Sequence, residues 1–283
     1  MHIPDGFLAT PVWAALDALA APAVGYAARR AQRGFEHART PLLGVMGAFV
    51  FAAQMINFPI GAGTTGHLVG GALLAVTLGP ASAAIVMTAI LAVQALVFQD
   101  GGVLALGANV VNMALVGVLA GYLPYLLWGA TRWRRFSIFA AGALSVLVSA
   151  VLALSELLIS GVPMSRAMIE ISLALFAISA VLEGAITLAV LESLERIQPR
   201  LVRQPFPRRS PAFGVIAVAA VLLASVGVLF ASQAPDTIQQ LTHQTAAESS
   251  GWFTKSAAGL GGLALIYGAC LLLSRVAGRN RSV

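Results

Sequence analysis

The chain has 283 residues, of which 59% are hydrophobic and 10% are charged, and its mean hydropathy is +0.88. Such values exclude an ordinary soluble domain, in which about 25% of residues are charged. A net charge of +6 and an isoelectric point near 10.4 also occur in nucleic-acid-binding proteins. Membrane topology explains them better, because basic residues collect in cytoplasmic loops. The composition therefore predicts a partnership with membrane lipid and none with nucleic acid.

Apolar stretches long enough to cross a bilayer, about 20 residues each, recur along the chain. They predict an all-α, polytopic membrane protein with seven spans followed by two more. The predicted spans are residues 10–28, 41–58, 67–79, 81–98, 103–128, 136–160, 167–191, 211–231 and 256–274. The third of them is short.

The basic residues predict how these spans are oriented. If the N-terminus is outside, every basic residue except Arg166 and Lys255 falls in a cytoplasmic segment. We therefore expect a multi-pass protein of the cell inner membrane, with its C-terminus in the cytoplasm. Residues 1–10 contain no Lys or Arg, whereas a signal peptide begins with a basic region, so we expect the first span to be retained.

A stretch rich in Arg and Pro separates the first seven spans from the last two, which predicts a linker. We divide the chain into a core at residues 1–195, a cytoplasmic linker at residues 196–210 and a two-span domain at residues 211–283. The single cysteine, Cys270, lies in the last span, so neither a disulfide nor a thiolate cluster is expected.

The connection between the second and third spans, residues 57–67, is neutral and rich in glycine. Irregular backbone at membrane depth survives only where it is buried in protein or lines a cavity. In transporters, a short or glycine-interrupted apolar segment points to the substrate site.

The N-terminus, Met1-His2, is a candidate chelator. Methionine aminopeptidases require a small second residue, so we expect Met1 to be retained with a free amine. The amine, the backbone amide of His2 and Nδ1 of the His2 ring close two chelate rings and leave one corner of a square plane open. Such a nitrogen set suits Ni(II) and Cu(II), and Co(II) accepts it with some strain.

The fourth nitrogen is predicted to come from His67. His37 falls in a basic cytoplasmic loop, whereas His67 lies at the outer mouth of the short third span. A lone terminal or loop histidine is more often solvated or structural. The combination with the glycine-rich connection, the outward topology and a turn at Pro4-Asp5-Gly6 favours a site.

The sequence resembles the nickel/cobalt substrate-specific M components (NikM/CbiM) of energy-coupling factor (ECF) transporters over roughly residues 1–195. The stretches that carry the resemblance are MHIPDGFL at residues 1–8, NFPI at 57–60, GTTGHLVGG at 63–71, LGP at 78–80, QALVFQDGG at 94–102, LGAN at 106–109 with NM at 112–113, and EGAIT at 183–187. The N-terminal octapeptide is the most specific of these.

The resemblance implies the seven-helix core of an ECF substrate-binding component, with the N-terminal loop inserted into it. It implies that the ion is held by the amine and amide of Met1 and His2 and by the rings of His2 and His67. Ni²⁺ or Co²⁺ would be the transported substrate, with no organic cofactor. A transmembrane coupling subunit and cytoplasmic ATPase subunits would be the partners.

Residues 211–283 resemble the two-span N component that is often fused to nickel-type M components. The signature of that component reads Pro-Asp-Gly-Leu-Glu, whereas this chain has Pro-Asp-Thr-Ile-Gln at residues 235–239. The fusion favours nickel but does not decide between nickel and cobalt.

Polar residues near the outer side are candidates for orienting the histidine ligands, or else for packing and capping. They are Gln54, Asn57, Gln94, Gln99 and Asp100. An acidic residue within a membrane span costs free energy, so such residues are candidates for a functional role. For the deepest of them, Glu183, we predict a structural or coupling role, because a second carboxylate at relay spacing is lacking.

Three functions compete: the binding subunit of an ATP-driven importer, a self-sufficient secondary transporter or channel for divalent cations, and an intramembrane metalloenzyme. The only lysine is Lys255, outside any phosphate-binding loop, so ATP hydrolysis would belong to partners. A secondary transporter predicts mid-membrane ionisable groups or internal repeats, for which the sequence gives little support. Four nitrogens around the ion leave no position for catalytic water, so we expect no enzyme.

Overall fold

The computed structural model describes residues 1–33, 40–61 and 64–197. In the C-terminal part it describes residues 218, 221, 222, 236–238, 257, 260–262, 264 and 265. The predicted linker lies outside these residues except for its first two positions, and so does most of the two-span domain. His37, His243 and Cys270 also lie outside them.

Helices dominate the described chain up to residue 197 and form seven continuous segments there, as predicted. The helices are α1 (Thr10–Arg33), α2 (Thr40–Gln54), α3 (Gly71–Leu78), α4 (Pro80–Val93), α5 (Leu106–Asn109), α6 (Gly117–Trp128), α7 (Arg134–Ile159) and α8 (Arg166–Ile197). A π-helical turn at Gln94–Phe98 extends α4, and another at Val110–Val116 joins α5 to α6. Such π-helical turns frequently occur at functional sites.

Four helical segments of the described chain are long and apolar enough to cross a membrane: Pro80–Phe98, Leu106–Trp128, Arg134–Ile159 and Arg166–Ile197. These agree closely with the predicted spans, and the all-α, polytopic membrane fold is confirmed. The third predicted span is shorter than its apolar sequence suggests. Its helix, α3, has eight residues, which span about 12 Å at 1.5 Å per residue.

The glycine-rich connection forms a small antiparallel hairpin, which the helix prediction did not include. Its strands are β1 (Phe58–Gly61) and β2 (Thr64–Gly66), with Phe58 opposite Gly66. Consequently α2 ends at Gln54 and not near residue 58. The hairpin ends directly before His67, so it fixes where that histidine enters the helical bundle.

Small residues let the long helices approach closely. A Cβ atom added to Gly142 on α7 would lie 2.8 Å from the Cα atom of Gly184 on α8. A Cβ atom on Gly117 would lie 2.4 Å from Oγ of Ser149 on α7. Close backbone packing of this kind substitutes for the hydrophobic effect, which does not drive helices together in lipid.

The N-terminus is part of this core. Met1 is 7% exposed, His2 is 4% exposed and Ile3 is fully buried, although none of the three is helical. They contact Asp100 in the loop after α4, Asn109 at the end of α5, and His67, which follows β2. The first three residues are therefore a structural element of the bundle.

Candidate metal centre

A turn at Pro4-Asp5-Gly6 sends the N-terminal residues into the bundle, as the sequence predicts. Gly6 has a φ of +89°, which a residue with a side chain rarely adopts. The carboxylate of Asp5 accepts hydrogen bonds from the backbone N–H groups of Val103, Leu104 and Ala105. These groups directly precede α5, so Asp5 fixes the N-terminal turn against the loop that leads into that helix.

The backbone N–H and carbonyl groups of Ile3 both form hydrogen bonds with the side chain of Asn109. The N–H group of Ile3 donates to Oδ1 of Asn109 at 2.8 Å, and Nδ2 of Asn109 donates to the carbonyl oxygen of Ile3 at 3.0 Å. The same carbonyl accepts from the N–H of Gly102 at 2.9 Å. This clamp fixes the path of the backbone immediately after His2.

The amine of Met1 lies between two groups that come from distant parts of the chain. It is 3.1 Å from Nε2 of His67, and it forms an ion pair with the carboxylate of Asp236. Asp236 is buried and forms an isolated parallel β-bridge with Thr65 on β2. A segment from the C-terminal part of the chain therefore lies directly beside the N-terminus.

The rings of His2 and His67 are stacked, with their centroids 5.4 Å apart and their planes 10° from parallel. Nδ1 of His2 lies 3.2 Å from Oδ1 of Asp100, while Nε2 is buried and has no hydrogen-bond partner among the described residues. A Cβ atom on Gly101 would lie 3.1 Å from Cβ of His2. Glycine at this position therefore makes room for the buried ring.

The tautomer of His67 follows from its contacts. Nδ1 lies 2.9 Å from the carbonyl oxygen of Leu68, which can only accept a hydrogen bond. Nδ1 therefore carries the proton, and in the neutral ring Nε2 keeps a free lone pair. That lone pair points toward the amine of Met1.

Of the five residues predicted to orient the ligands, Asp100 alone contacts a predicted ligand side chain directly. Gln54 donates from Nε2 to the carbonyl oxygen of Val69 at 2.7 Å, and Gln94 donates to Oε1 of Gln54 at 2.8 Å. These two support the backbone beyond His67. Within the described part of the chain, the side chains of Asn57 and Gln99 form no hydrogen bond with Met1, His2 or His67, and Gln99 is exposed.

The arrangement has the spacing that a small transition-metal ion requires. Two nitrogen ligands at about 2.05 Å from an ion and at right angles to each other are about 2.9 Å apart. The amine of Met1 and Nε2 of His67 are 3.1 Å apart. Among the described residues, no group of three or more His, Cys, Asp or Glu side chains is placed to hold a metal. The candidate ligand pair described above combines the terminal amine with one imidazole nitrogen.

Three residues of this region were not predicted as parts of the site. Asp5 was assigned only to a turn, and Asn109 was noted only within a family stretch. Asp236 was noted within a divergent signature, with the prediction that Asp236→Ala spares equilibrium metal binding even if it slows loading. The signal that points to Asn109 is an amide side chain inside an apolar span, because a buried polar group needs a partner. For Asp236 the pattern around it gives no equivalent signal.

Comparison with known proteins shows which family the chain resembles. The sequence model of the CbiM family, described as the cobalt uptake substrate-specific transmembrane region, matches residues 2–201. A protein of Haloquadratum walsbyi, named as a metal transport protein, is 42% identical over 73% of this chain and 95% of its own length. The fused nickel transport protein NikMN of Rhodobacter capsulatus is 33% identical over 75% of this chain and 66% of its own length.

A solved structure shows the same fold. The crystal structure of a truncated transition metal transporter superimposes with a TM-score of 0.62 at 34% identity and covers 69% of this chain and 99% of its own. The predicted resemblance to nickel and cobalt M components is thereby confirmed. The chain belongs to the CbiM family of cobalt uptake substrate-specific transmembrane proteins, and it is a multi-pass membrane component of metal uptake.

Proposed function

We propose that this chain is the substrate-binding membrane subunit of an ATP-driven ECF importer for Ni²⁺ or Co²⁺. In this proposal the amine of Met1, the backbone amide of His2, the His2 ring and Nε2 of His67 hold the ion. The observation that carries the proposal is the approach of the Met1 amine to Nε2 of His67 at 3.1 Å inside the bundle. Residues 66 positions apart in the chain meet there.

The His2 ring offers two nitrogens, and they have different surroundings. Coordination through Nδ1 together with the amide requires that the contact with Asp100 be given up, because a nitrogen that binds a metal has no proton to donate. Nε2 has no partner to give up among the described residues. Asp100, whose Oδ1 lies 3.2 Å from Nδ1 of His2 in this structure, would place a negative charge near a divalent ion.

The nitrogen donors favour late transition metals over hard cations. Imidazole and amine nitrogens suit nickel, cobalt, copper and zinc, whereas Mg²⁺ and Ca²⁺ prefer oxygen ligands. A planar set that includes a backbone amide favours Ni(II) over Co(II). Relatives whose names refer to nickel and to cobalt transport support this choice of substrate class.

The proposed orientation places the site on the outer side of the cell inner membrane. The site lies at the end of the bundle formed by the hairpin and the loop after α4, while Arg134 and Arg135 lie at the opposite end, at the start of α7. Because basic residues favour the cytoplasmic side, this polarity puts the ion site outside. The proposed subunit thus captures its ion before transport.

The proposed driving force comes from partners: a transmembrane coupling subunit and cytoplasmic ATPase subunits. In this scheme residues 1–195 form the M component, and residues 211–283 form a fused N-component-like domain beyond the cytoplasmic linker at residues 196–210. The end of the family match at residue 201 supports that division. The Asp236 carboxylate contacts the amine of Met1 across the proposed domain boundary.

His67→Ala tests the site directly. The full chain, purified with a native N-terminus, is titrated with Ni(II) by calorimetry. Loss of one of four ligands is expected to weaken binding by more than about 100-fold, beyond the range seen when only a supporting residue is lost. His37→Ala is the matched control and should bind like the parent, since His37 is assigned to a cytoplasmic loop. Unchanged binding by His67→Ala would refute the site.

The partners are tested by uptake of radioactive nickel in cells. Cells that produce the chain together with the coupling and ATPase subunits should accumulate nickel, and a substitution that abolishes ATP hydrolysis should stop the accumulation. Proton-driven uptake by the chain alone would instead identify a secondary transporter.

A further inference from the structure

The buried carboxylate of Glu183 on α8 binds the backbone just before α3. It is 1% exposed, and its two oxygens accept hydrogen bonds from the N–H of Val69 at 2.7 Å and the N–H of Gly70 at 2.8 Å. Gly70 is the residue before α3 and has a φ of +75°. Both N–H groups directly precede α3, so the carboxylate of Glu183 lies at the N-terminal end of that helix, where a negative charge is favourable.

One peptide unit connects this carboxylate to the proposed metal ligand. The Leu68–Val69 peptide donates its N–H to Oε2 of Glu183, and its carbonyl accepts from Nδ1 of His67. The orientation of this single planar unit therefore sets both contacts. If the peptide turned away from Glu183, the carbonyl would leave Nδ1, and His67 would lose the contact that fixes its tautomer.

Other contacts hold the same segment against α8 and α2. A Cβ atom on Gly66, the residue before His67, would lie 3.0 Å from Oγ of Ser179, one turn before Glu183 on α8. The carbonyl of Val69 accepts from Gln54 on α2. The backbone on both sides of His67 thus lies against buried side chains, and Glu183 binds it through a carboxylate.

We propose that Glu183 is a positioning residue for metal binding, which acts on His67 through the Leu68–Val69 peptide. The carboxylate holds that peptide so that its carbonyl keeps the proton on Nδ1 and leaves Nε2 free for the ion. A partner of this kind on the second ring nitrogen orients a histidine ligand and raises its basicity. The inference rests on the proposed function, because it assumes that His67 binds the ion.

The chemistry of the site predicts that glutamine cannot replace Glu183. Two backbone donors converge on the carboxylate, and both oxygens accept. A glutamine offers one acceptor oxygen and an NH₂ group, which would face an N–H group donor to donor. One peptide N–H would then lack its acceptor, which favours rotation of the segment.

The experiment is a double-mutant cycle with nickel binding as the measurement. Glu183→Gln is expected to weaken Ni(II) binding by about 10- to 100-fold and to shift the visible absorption bands of the bound ion. In the His67→Ala background, Glu183→Gln should cause no further loss, because its effect acts through the ring that is already absent. Glu156→Gln is the matched control, since that buried carboxylate accepts from the side chain of Asn112, away from the site.

The outcomes are distinct. Equal losses from Glu183→Gln in both backgrounds, or an unchanged affinity and spectrum, would overturn the positioning role. A loss of the same size in Glu156→Gln would show a general effect of removing buried charge and would also overturn it. If His67→Ala alone binds normally, the proposed function fails instead. Where Glu183→Gln yields too little folded protein, Glu183→Asp takes its place in the same cycle with the same expectations.

Discussion

The two ends of the helical bundle are held together by different kinds of contact. At the end that contains the N-terminus, buried polar side chains bind backbone groups about 100 residues away, as Asn109 does with Ile3 and Glu183 with Val69. At the opposite end, α7 and α8 are joined by the ion pairs of Arg134 with Glu195 and of Arg135 with Glu192. Regular helix needs no help from side chains, whereas irregular backbone at membrane depth does.

The two kinds of contact differ in what a substitution costs. A buried donor that loses its acceptor costs about 1–3 kcal/mol and also releases the backbone it held. An exposed ion pair contributes about 0–1 kcal/mol. Substitutions at the N-terminal end should therefore change metal binding, and substitutions at the ion pairs should not.

Among the substitutions that compare the two ends, the largest effect is expected from Asn109→Ala. This change removes the clamp on Ile3 and leaves a buried N–H without its side-chain acceptor. We expect Ni(II) affinity to fall by about 10- to 100-fold, because the residue next to His2 is no longer fixed. Calorimetric titration of the purified chain measures the effect.

Asn112→Ala is the control for that prediction. Asn112 is the same residue type, is equally buried and lies one turn further along, where it donates to Glu156. We expect both variants to lower the thermal stability, and only Asn109→Ala to lower the nickel affinity. Equal nickel affinities in the two variants would show that the contact with Ile3 has no special role in metal binding.

A smaller effect is expected from Asp236→Ala. The carboxylate pairs with the ammonium form of Met1, which has no lone pair for a metal, so the pair has to open before the ion binds. The same carboxylate attracts a divalent cation. Because these two effects oppose each other, we expect equilibrium affinity within about threefold of the parent, with a change in the rate of loading. Stopped-flow and equilibrium titrations separate the two, and a loss beyond about 100-fold would make Asp236 a ligand.

The smallest effect is expected from Arg135→Ala. Arg135 is 76% exposed and its Nη2 lies 3.0 Å from Oε2 of Glu192. We expect a stability change below about 1 kcal/mol and an unchanged nickel affinity. A nickel affinity lowered as much as in Asn109→Ala would mean that the two ends are coupled.

The helices could be predicted from the sequence because the length of an apolar stretch depends only on consecutive residues. The predicted spans at residues 81–98 and 136–160 differ by one or two residues from the observed Pro80–Phe98 and Arg134–Ile159. The hairpin could not be predicted in this way, since Phe58 and Ile60 are apolar and continue the preceding span in any hydropathy pattern. Backbone pairing between β1 and β2 decides the structure there.

The candidate ligands could also be named from the sequence, because a terminal amine followed by a histidine can chelate a metal ion with only two residues. The supporting contacts could not. Asn109 and Asp236 reach the N-terminus only through tertiary packing, and the attachment of Glu183 to the segment after His67 spans more than 110 residues. Asp100, two positions beyond the apolar run that ends at Phe98 and beside two glycines, was one of five candidates to orient a histidine ligand, and it contacts the ring of His2.

The most direct test of the account is to block the terminal amine without touching a side chain. The chain is compared with and without a retained formyl group on Met1, and a short extension added after Val283 serves as the control. We predict that the formylated chain loses Ni(II) binding by more than about 100-fold while the C-terminally extended chain binds like the parent. Nickel affinity that is the same with a free and a formylated Met1 would contradict the account.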